Sequence, residues 1–217
     1  GDVFNADEIL ALPAACPSDA VVATPQLDCS SGGSLPSIIA HGSLMLSSWG
    51  LLLPLGVISA RFLRHRPNSQ WFKLHRAFQV TGLVLACAGL IVALSSFSVF
   101  NSSASLRSTA HGSMGLFVMM LGLLQPINAY FRPHADEKTR ARKRWEMLHK
   151  TSGYVAVSAG VLTCAVGASI AGPRFMAAFG VCFIVLILSA GLAWRDGKRF
   201  KVGEAVSTPE KTALALT

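Results

Sequence analysis

The chain is short of charge, and over long stretches it has none. Asp, Glu, Lys and Arg make up 14% of its 217 residues, against about a quarter in soluble domains. With 52% hydrophobic residues, that shortage argues against a soluble enzyme and equally against disorder. No Lys or Arg occurs before Arg61, whereas five acids do: Asp2, Asp7, Glu8, Asp19 and Asp28. Five stretches, 38–60, 77–106, 108–131, 151–173 and 175–194, hold no charged residue at all. A helix needs ~20 apolar residues to cross ~30 Å of hydrocarbon, and every one of these stretches is long enough. Backbone in lipid must be helical or part of a closed barrel. Barrel strands would be about half as long and would alternate. The sequence therefore predicts an all-α, polytopic membrane protein with five transmembrane helices.

The charge that is present is basic and unevenly placed. There are 19 Lys and Arg against 11 Asp and Glu, a net +8, with a pI near 9.7. Such a pI fits a nucleic-acid binder when taken alone. Seventeen of the bases, however, fall in three clumps. The first is Arg61, Arg64, Arg66, Lys73 and Arg76. The second is Arg132, Lys138, Arg140, Arg142, Lys143, Arg144 and Lys150. The third is Arg195, Lys198, Arg199, Lys201 and Lys211. Five spans put all three clumps on one face, where six acids leave a balance of +11. Arg107 and Arg174 fall on the other face with the five N-terminal acids, a balance of −3. The positive-inside rule makes the +11 face cytosolic, or its organelle equivalent, with the N-terminus extracellular or lumenal and the C-terminus cytosolic. Trp71, Trp145 and Trp194 lie at that inner interface as an aromatic belt would. The clumps are topology signals. No nucleic-acid partner is expected, and the basic face suits membrane lipid or a small anion.

This divides the chain into an outer, loop-rich segment (1–37), a transmembrane domain (38–195) and a cytosolic tail (196–217) that reads as flexible from Val202. Cys16 and Cys29 lie in the outer segment, where oxidation is permitted, and are a disulfide candidate. Cys87, Cys164 and Cys182 fall in spans and read as small apolar fillers. Asn101-Ser102-Ser103 is a glycosylation sequon in an outer loop, close to the membrane. The start at Gly1 suggests removal of a leader or of a larger N-terminal part.

The chemistry is in the histidines. His65 and His134, beside Pro67 and Pro133, read as solvated loop residues. His41, His75, His111 and His149 each sit at or just before the start of a span, and ionisable groups at membrane depth are costly and usually functional. Alternating helix direction sorts them by depth: His41 and His111 toward the outer face, His75 and His149 toward the inner. The local sequence gives the same pairing. Ala40-His41-Gly42-Ser43 recurs as Ala110-His111-Gly112-Ser113, and the pattern W-x-x-L-H-[RK] occurs at Trp71–Arg76 and again at Trp145–Lys150. The offset from His41 to His111 is nearly the same as that from His75 to His149. Spans 1–2 and 3–4 thus form a parallel internal repeat, two tandem hairpins whose mates face each other across an axis along the membrane normal, with a fifth helix beside them.

Two facing histidines at one depth fall short of a zinc site, which wants two more ligands, and neither depth has Cys, Asp or Glu. Copper would leave a site underfilled. Haem supplies four nitrogens and needs only two axial ligands, so two haem b groups are the favoured reading. Structural histidines and a metal or proton relay remain as alternatives. Gly42 and Gly112 remove a side chain beside each outer histidine, which suits close approach of a flat macrocycle. Sites one turn inside each edge of a ~30 Å core lie roughly 20 Å apart, an arrangement that would carry electrons from one face to the other.

These residues resemble the eukaryotic cytochrome b561 family, and most nearly the b561 core of DOMON-linked, ferric-chelate reductase-like proteins. The resemblance covers residues 38–195. It rests on Ala40–Met45 with Trp49, Ala60-Arg61-Phe62, Trp71–Arg76, Leu124-Gln125-Pro126, Phe131-Arg132-Pro133, and histidine spacings of 34, 36 and 38. It implies two bis-histidine haems, a cytosolic donor such as ascorbate, and an outer acceptor such as ferric chelate or monodehydroascorbate, hence a transmembrane oxidoreductase. Five helices match the DOMON-linked members, whereas other members have six. The outer segment, 1–37, is too short for a DOMON domain, so the outer redox partner is expected elsewhere. A haem-bearing accessory subunit of a larger membrane complex, or a homodimer, is the alternative setting. Lys73, Arg76 and Lys150 flank the inner histidines, where an ascorbate anion would need cations, though ordinary positive-inside residues account for them as well. Arg61 and Arg132 close spans 1 and 3 on that face as candidates for haem propionates. Gln125 and Asn128 are expected to bond between helices, and Pro54 and Pro126 to kink theirs.

Overall fold

A computed structural model of the chain describes residues 34–97, 105–133 and 139–207, with side chains as far as Lys201. All regular structure among them is helical: α1 (Leu35–Ser47), a π-helical turn (Ser48–Leu52), α2 (Leu53–Phe62), α3 (Gln70–Ser96), α4 (Leu106–Tyr130), α5 (Arg140–Ala171) and α6 (Pro173–Ser207). α1, the π turn and α2 join into one span. Five helices are thus long and apolar enough to cross a membrane: Leu35–Phe62, Gln70–Ser96, Leu106–Tyr130, Arg140–Ala171 and Pro173–Lys201. This is the integral membrane architecture that the charge-free stretches predict.

Small hydroxyl side chains set three of the starts. Ser34, Ser105 and Thr139 are extended residues whose side chains accept from Ser37 N, Ser108 N and Arg142 N, satisfying amide donors that a helix start otherwise leaves unpaired. α3 follows a tight reversal in which Asn68 and Ser69 take left-handed backbone (φ 55° and 52°). α5 and α6 are separated by Gly172 alone, whose φ of 107° glycine tolerates readily, and Pro173 then opens α6.

The helices pack as two hairpins, α1/α2 against α3 and α4 against α5, with the first span also lying along α5 and α6. The core between them is small and tight: Trp49, Leu53, Ala86, Val118, Met119, Ala156 and Cys164. Cys87, Cys164 and Cys182 are free thiols, Cys164 within that core. Most large apolar side chains point outward, among them Val84 and Ile91 on α3 and Val181, Ile187 and Leu192 on α6. In water this would be unstable; in lipid it is the expected exterior.

The two prolines do not act alike. Pro54 is the second residue of α2, one past the residue that follows the π turn's end at Leu52, and the wider winding there accommodates the amide that proline lacks. Pro126 sits inside an unbroken α4. At the C-terminal side α6 runs on through Arg195, so the segment expected to be flexible from Val202 is helical as far as Ser207. His65 also departs from its solvated reading. Its Nε2 lies 2.7 Å from Asp196 Oδ2 and its ring 5.2 Å from that of Phe200. Arg66 bonds the same carboxylate. The first inner loop is thereby tied to the end of α6. Cys16, Cys29, Asn101 and His134 lie outside the described residues.

Candidate functional site

Two of the four span histidines meet directly. His41 on α1 and His111 on α4 have ring centroids 6.1 Å apart and perpendicular planes. Each is fixed by backbone of the second helix of its own hairpin. His41 Nδ1 lies 2.9 Å from Gly89 O on α3, and His111 Nδ1 lies 3.1 Å from Thr163 O on α5. Gly89 and Thr163 are separated by the same offset as His75 and His149, so the repeat extends to the hydrogen bonds. A carbonyl only accepts, so each Nδ1 carries the proton and each Nε2 keeps a free lone pair. A second nitrogen held in this way is how ligating histidines are oriented. Metal–nitrogen bonds of about 2 Å on both sides, plus the two ring radii, place coaxial imidazoles about 6 Å apart, which fits the observed separation.

The space beside this pair is a cavity of ≈ 230 Å³ lined by spans 1 to 4 and by Phe175 at the start of α6. One water needs only about 10–15 Å³ by this measure, so the space is a site and not a packing flaw. Its lining is mostly apolar, with Met45, Leu90, Val118 and Ile170 among the walls. Gly112 faces this space. Gly42 also borders it, but a Cβ there would come within 2.5 Å of the Phe175 ring, so the room expected beside Gly42 for a macrocycle is shared with Phe175. At Gly167 a Cβ would meet His111 Cε1 at 2.6 Å, so the histidine ring itself requires that glycine.

The inner pair is arranged differently. His75 on α3 donates from Nδ1 to Gly56 O on α2 at 2.9 Å. That carbonyl lies just past the π turn, where Gln79 also bonds Leu53 O. His149 on α5 lies within electrostatic reach of His75 and Arg132. Its ring stacks on Trp145, centroids 5.1 Å apart and 8° from parallel.

Over this end lies a layer of arginines on aromatic rings. Arg132 is 6.0 Å from both the Phe72 and Trp145 rings, bridging α3 and α5, while Arg76 lies over Phe72 and Arg142 over Trp145. Of the expected anion-binding residues, Arg61, Lys73, Arg76 and Arg132 are exposed on this side. Lys150 is exposed too, but its ammonium is engaged by Glu146 at 3.0 Å. Gln125 makes the expected interhelix bond, Nε2 to Ser152 Oγ at 2.8 Å. Asn128 contributes through its backbone carbonyl, which accepts from Trp145 Nε1.

Some residues that shape the site carry no mark in the sequence. The clamping carbonyls of Gly56, Gly89 and Thr163 are backbone atoms, which any residue type supplies. Trp49 fills the centre of the bundle, 3% exposed, against Gly122 of α4 and Gly160 of α5, where a Cβ would overlap its ring. Its only sequence signal is a large aromatic in mid-span. The described residues hold no group of three or more His, Cys, Asp or Glu placed to bind a bare metal ion.

The model of the eukaryotic cytochrome b561 family matches residues 40–171. A cytochrome b561, DM13 and DOMON domain-containing protein of Arabidopsis thaliana is 35% identical over 143 residues, 64% of this chain and 15% of that protein. A cytochrome b561 and DOMON domain-containing protein of the same plant is 30% identical over 160 residues, covering 74% of this chain and 38% of the relative. Ferric-chelate reductase 1 of Mus musculus is 32% identical over 119 residues, 52% of this chain and 19% of the reductase. The chain therefore spans well under half the length of each of these relatives. No solved structure matches it significantly.

Proposed function

The chain belongs to the eukaryotic cytochrome b561 family, and from that premise we propose that it carries electrons across a membrane through two b-type haems. His41 and His111 hold the outer one, and His75 and His149 the inner. The observation that carries the proposal is the His41–His111 pair, two rings at the spacing of axial ligands, each with Nδ1 bonded to a carbonyl and Nε2 left to ligate. Haem iron with both axial positions filled supplies one-electron transfer and has no open position for oxygen.

The residues of the chain do the rest. Carbonyls of Gly56, Gly89 and Thr163 hold three imidazoles, each in one tautomer and one orientation. The apolar walls around the outer pair disfavour water, and Phe175 of α6 forms part of that lining. On the inner face Arg76, Arg132 and Lys73 give an anionic donor such as ascorbate a positive landing surface, and Arg132 and Arg61 are the residues that would bond haem propionates. Lys150 contributes less, because Glu146 neutralises it. Charge balance supports a cytosolic placement of this face, with electrons moving outward. By analogy with the ferric-chelate reductase, the acceptor is a ferric chelate, with monodehydroascorbate as the other candidate.

Haem quantitation with an ascorbate-reduced minus oxidised spectrum of the purified chain tests this. Two haems per chain and a b-type α-band are expected. His41→Ala or His111→Ala should remove one haem, and His75→Ala or His149→Ala the other. A chain without haem would overturn the proposal. Full haem without ferric reduction, together with migration only in a large assembly, would instead favour an accessory subunit.

A further inference from the structure

His75 and His149 occupy equivalent places in the repeat, yet they are not held alike. His75 bonds Gly56 O. His149 Nδ1 is buried and has no hydrogen-bond partner among the described residues. Gly56 lies just past the π turn of the first span, whereas α4, its counterpart in the repeat, has no such turn.

What His149 has instead is Trp145. The indole lies parallel to the imidazole, within the range of offset aromatic stacking. The indole is fixed in turn: Nε1 donates to Asn128 O of α4 at 2.7 Å, and Arg142 sits 4.8 Å from the ring centroid. Its repeat mate, Trp71, makes different contacts. Trp71 meets Phe72 at 66° and lies under Arg64, while His75 relies on its carbonyl.

Building on the two-haem reading, we infer that Trp145 is the positioning residue of the inner site, fixing by its stack the plane of the one axial histidine that no carbonyl of the described residues clamps. The two inner ligands then differ chemically. His75 is polarised through Nδ1 and His149 is not, whereas both outer ligands are polarised. The repeat is symmetric in sequence and asymmetric in ligand chemistry.

The test uses full-length protein in lipid nanodiscs. Electron paramagnetic resonance resolves the ferric low-spin signals, the inner one identified as that lost in His149→Ala. In Trp145→Met the inner signal should shift or broaden, and the inner haem should be lost at least several-fold faster to an apohaem-protein acceptor, with the outer signal unchanged. Trp145→Phe, which keeps a ring, should retain the native inner signal, and Trp71→Met should leave both signals alone. Equal effects of Trp145→Met and Trp71→Met, or a Trp145→Phe chain as disturbed as Trp145→Met, overturn the inference while leaving the two-haem reading intact. Should Trp145→Met fail to assemble, the Phe variant still decides, since loss of the native inner signal there refutes the stacking role. A wild-type chain that binds no haem overturns both.

Discussion

At the scale of single residues, glycine decides how closely these helices approach, and the positions are not equivalent. Trp49 lies between Gly122 and Gly160, and a methyl group at Gly160 would run into the indole. The ring sits in the core and cannot step aside without opening a void. Overpacking of this kind costs about 1–3 kcal/mol. Gly180 on α6 has nothing within 4 Å of where a Cβ would stand. Gly160→Ala should therefore lower the thermal midpoint in detergent clearly, and Gly180→Ala should leave stability within about ±0.5 kcal/mol. Similar midpoints for the two variants would show that Trp49 is not the packing constraint the contact implies. The glycine beside the first histidine obeys the same logic. Gly42 reads in the sequence as room for a flat cofactor, but Phe175, far along the chain and on another helix, takes part of that room.

At the scale of elements, the spans and the four histidines are legible because their signals are carried by side-chain type. Charge is excluded from hydrocarbon, so 77–106 and 151–173 stand out by what they lack, and His41, His75, His111 and His149 stand out against them. The carbonyl clamps are not legible, because every residue has a carbonyl and its direction depends on local winding. The π turn at Ser48–Leu52 is the clearest case: Pro54 hints at an irregularity, but nothing in Ser-Trp-Gly-Leu-Leu says that the helix widens there rather than kinks. Its consequence is specific. Inserting one alanine between Leu53 and Pro54, beyond the turn, rotates the rest of α2 by about 100° relative to α1, one residue's share of a turn. Gly56 O then leaves His75, while His41 and Gly89, on the other side of the turn, keep their bond. Haem content should fall from two to about one per chain, with loss of the inner signal only. Loss of the outer signal instead would mean that the turn serves the outer site.

At the scale of the whole molecule, the net +8 is, on the proposed topology, a small remainder of a large polarity, +11 on one face against −3 on the other. The arginine layer over Phe72, Trp71 and Trp145 lies on the positive face, at the end of the bundle that holds His75 and His149. On the proposed function, orientation fixes which site meets the donor, and it can be measured without any haem chemistry. Arg107 and Lys143 are exposed residues at the starts of α4 and α5, on opposite faces of the bundle. Arg107→Cys removes a base from the acidic face and so reinforces the charge rule, while Lys143→Cys removes one of seventeen bases from the other. In intact cells a membrane-impermeant maleimide should label Arg107→Cys directly and Lys143→Cys only after permeabilisation, each compared with the unsubstituted chain to account for its own cysteines. The reverse pattern would put the arginine layer outside, and electrons entering there would have to flow inward, against the direction of a ferric-chelate reductase.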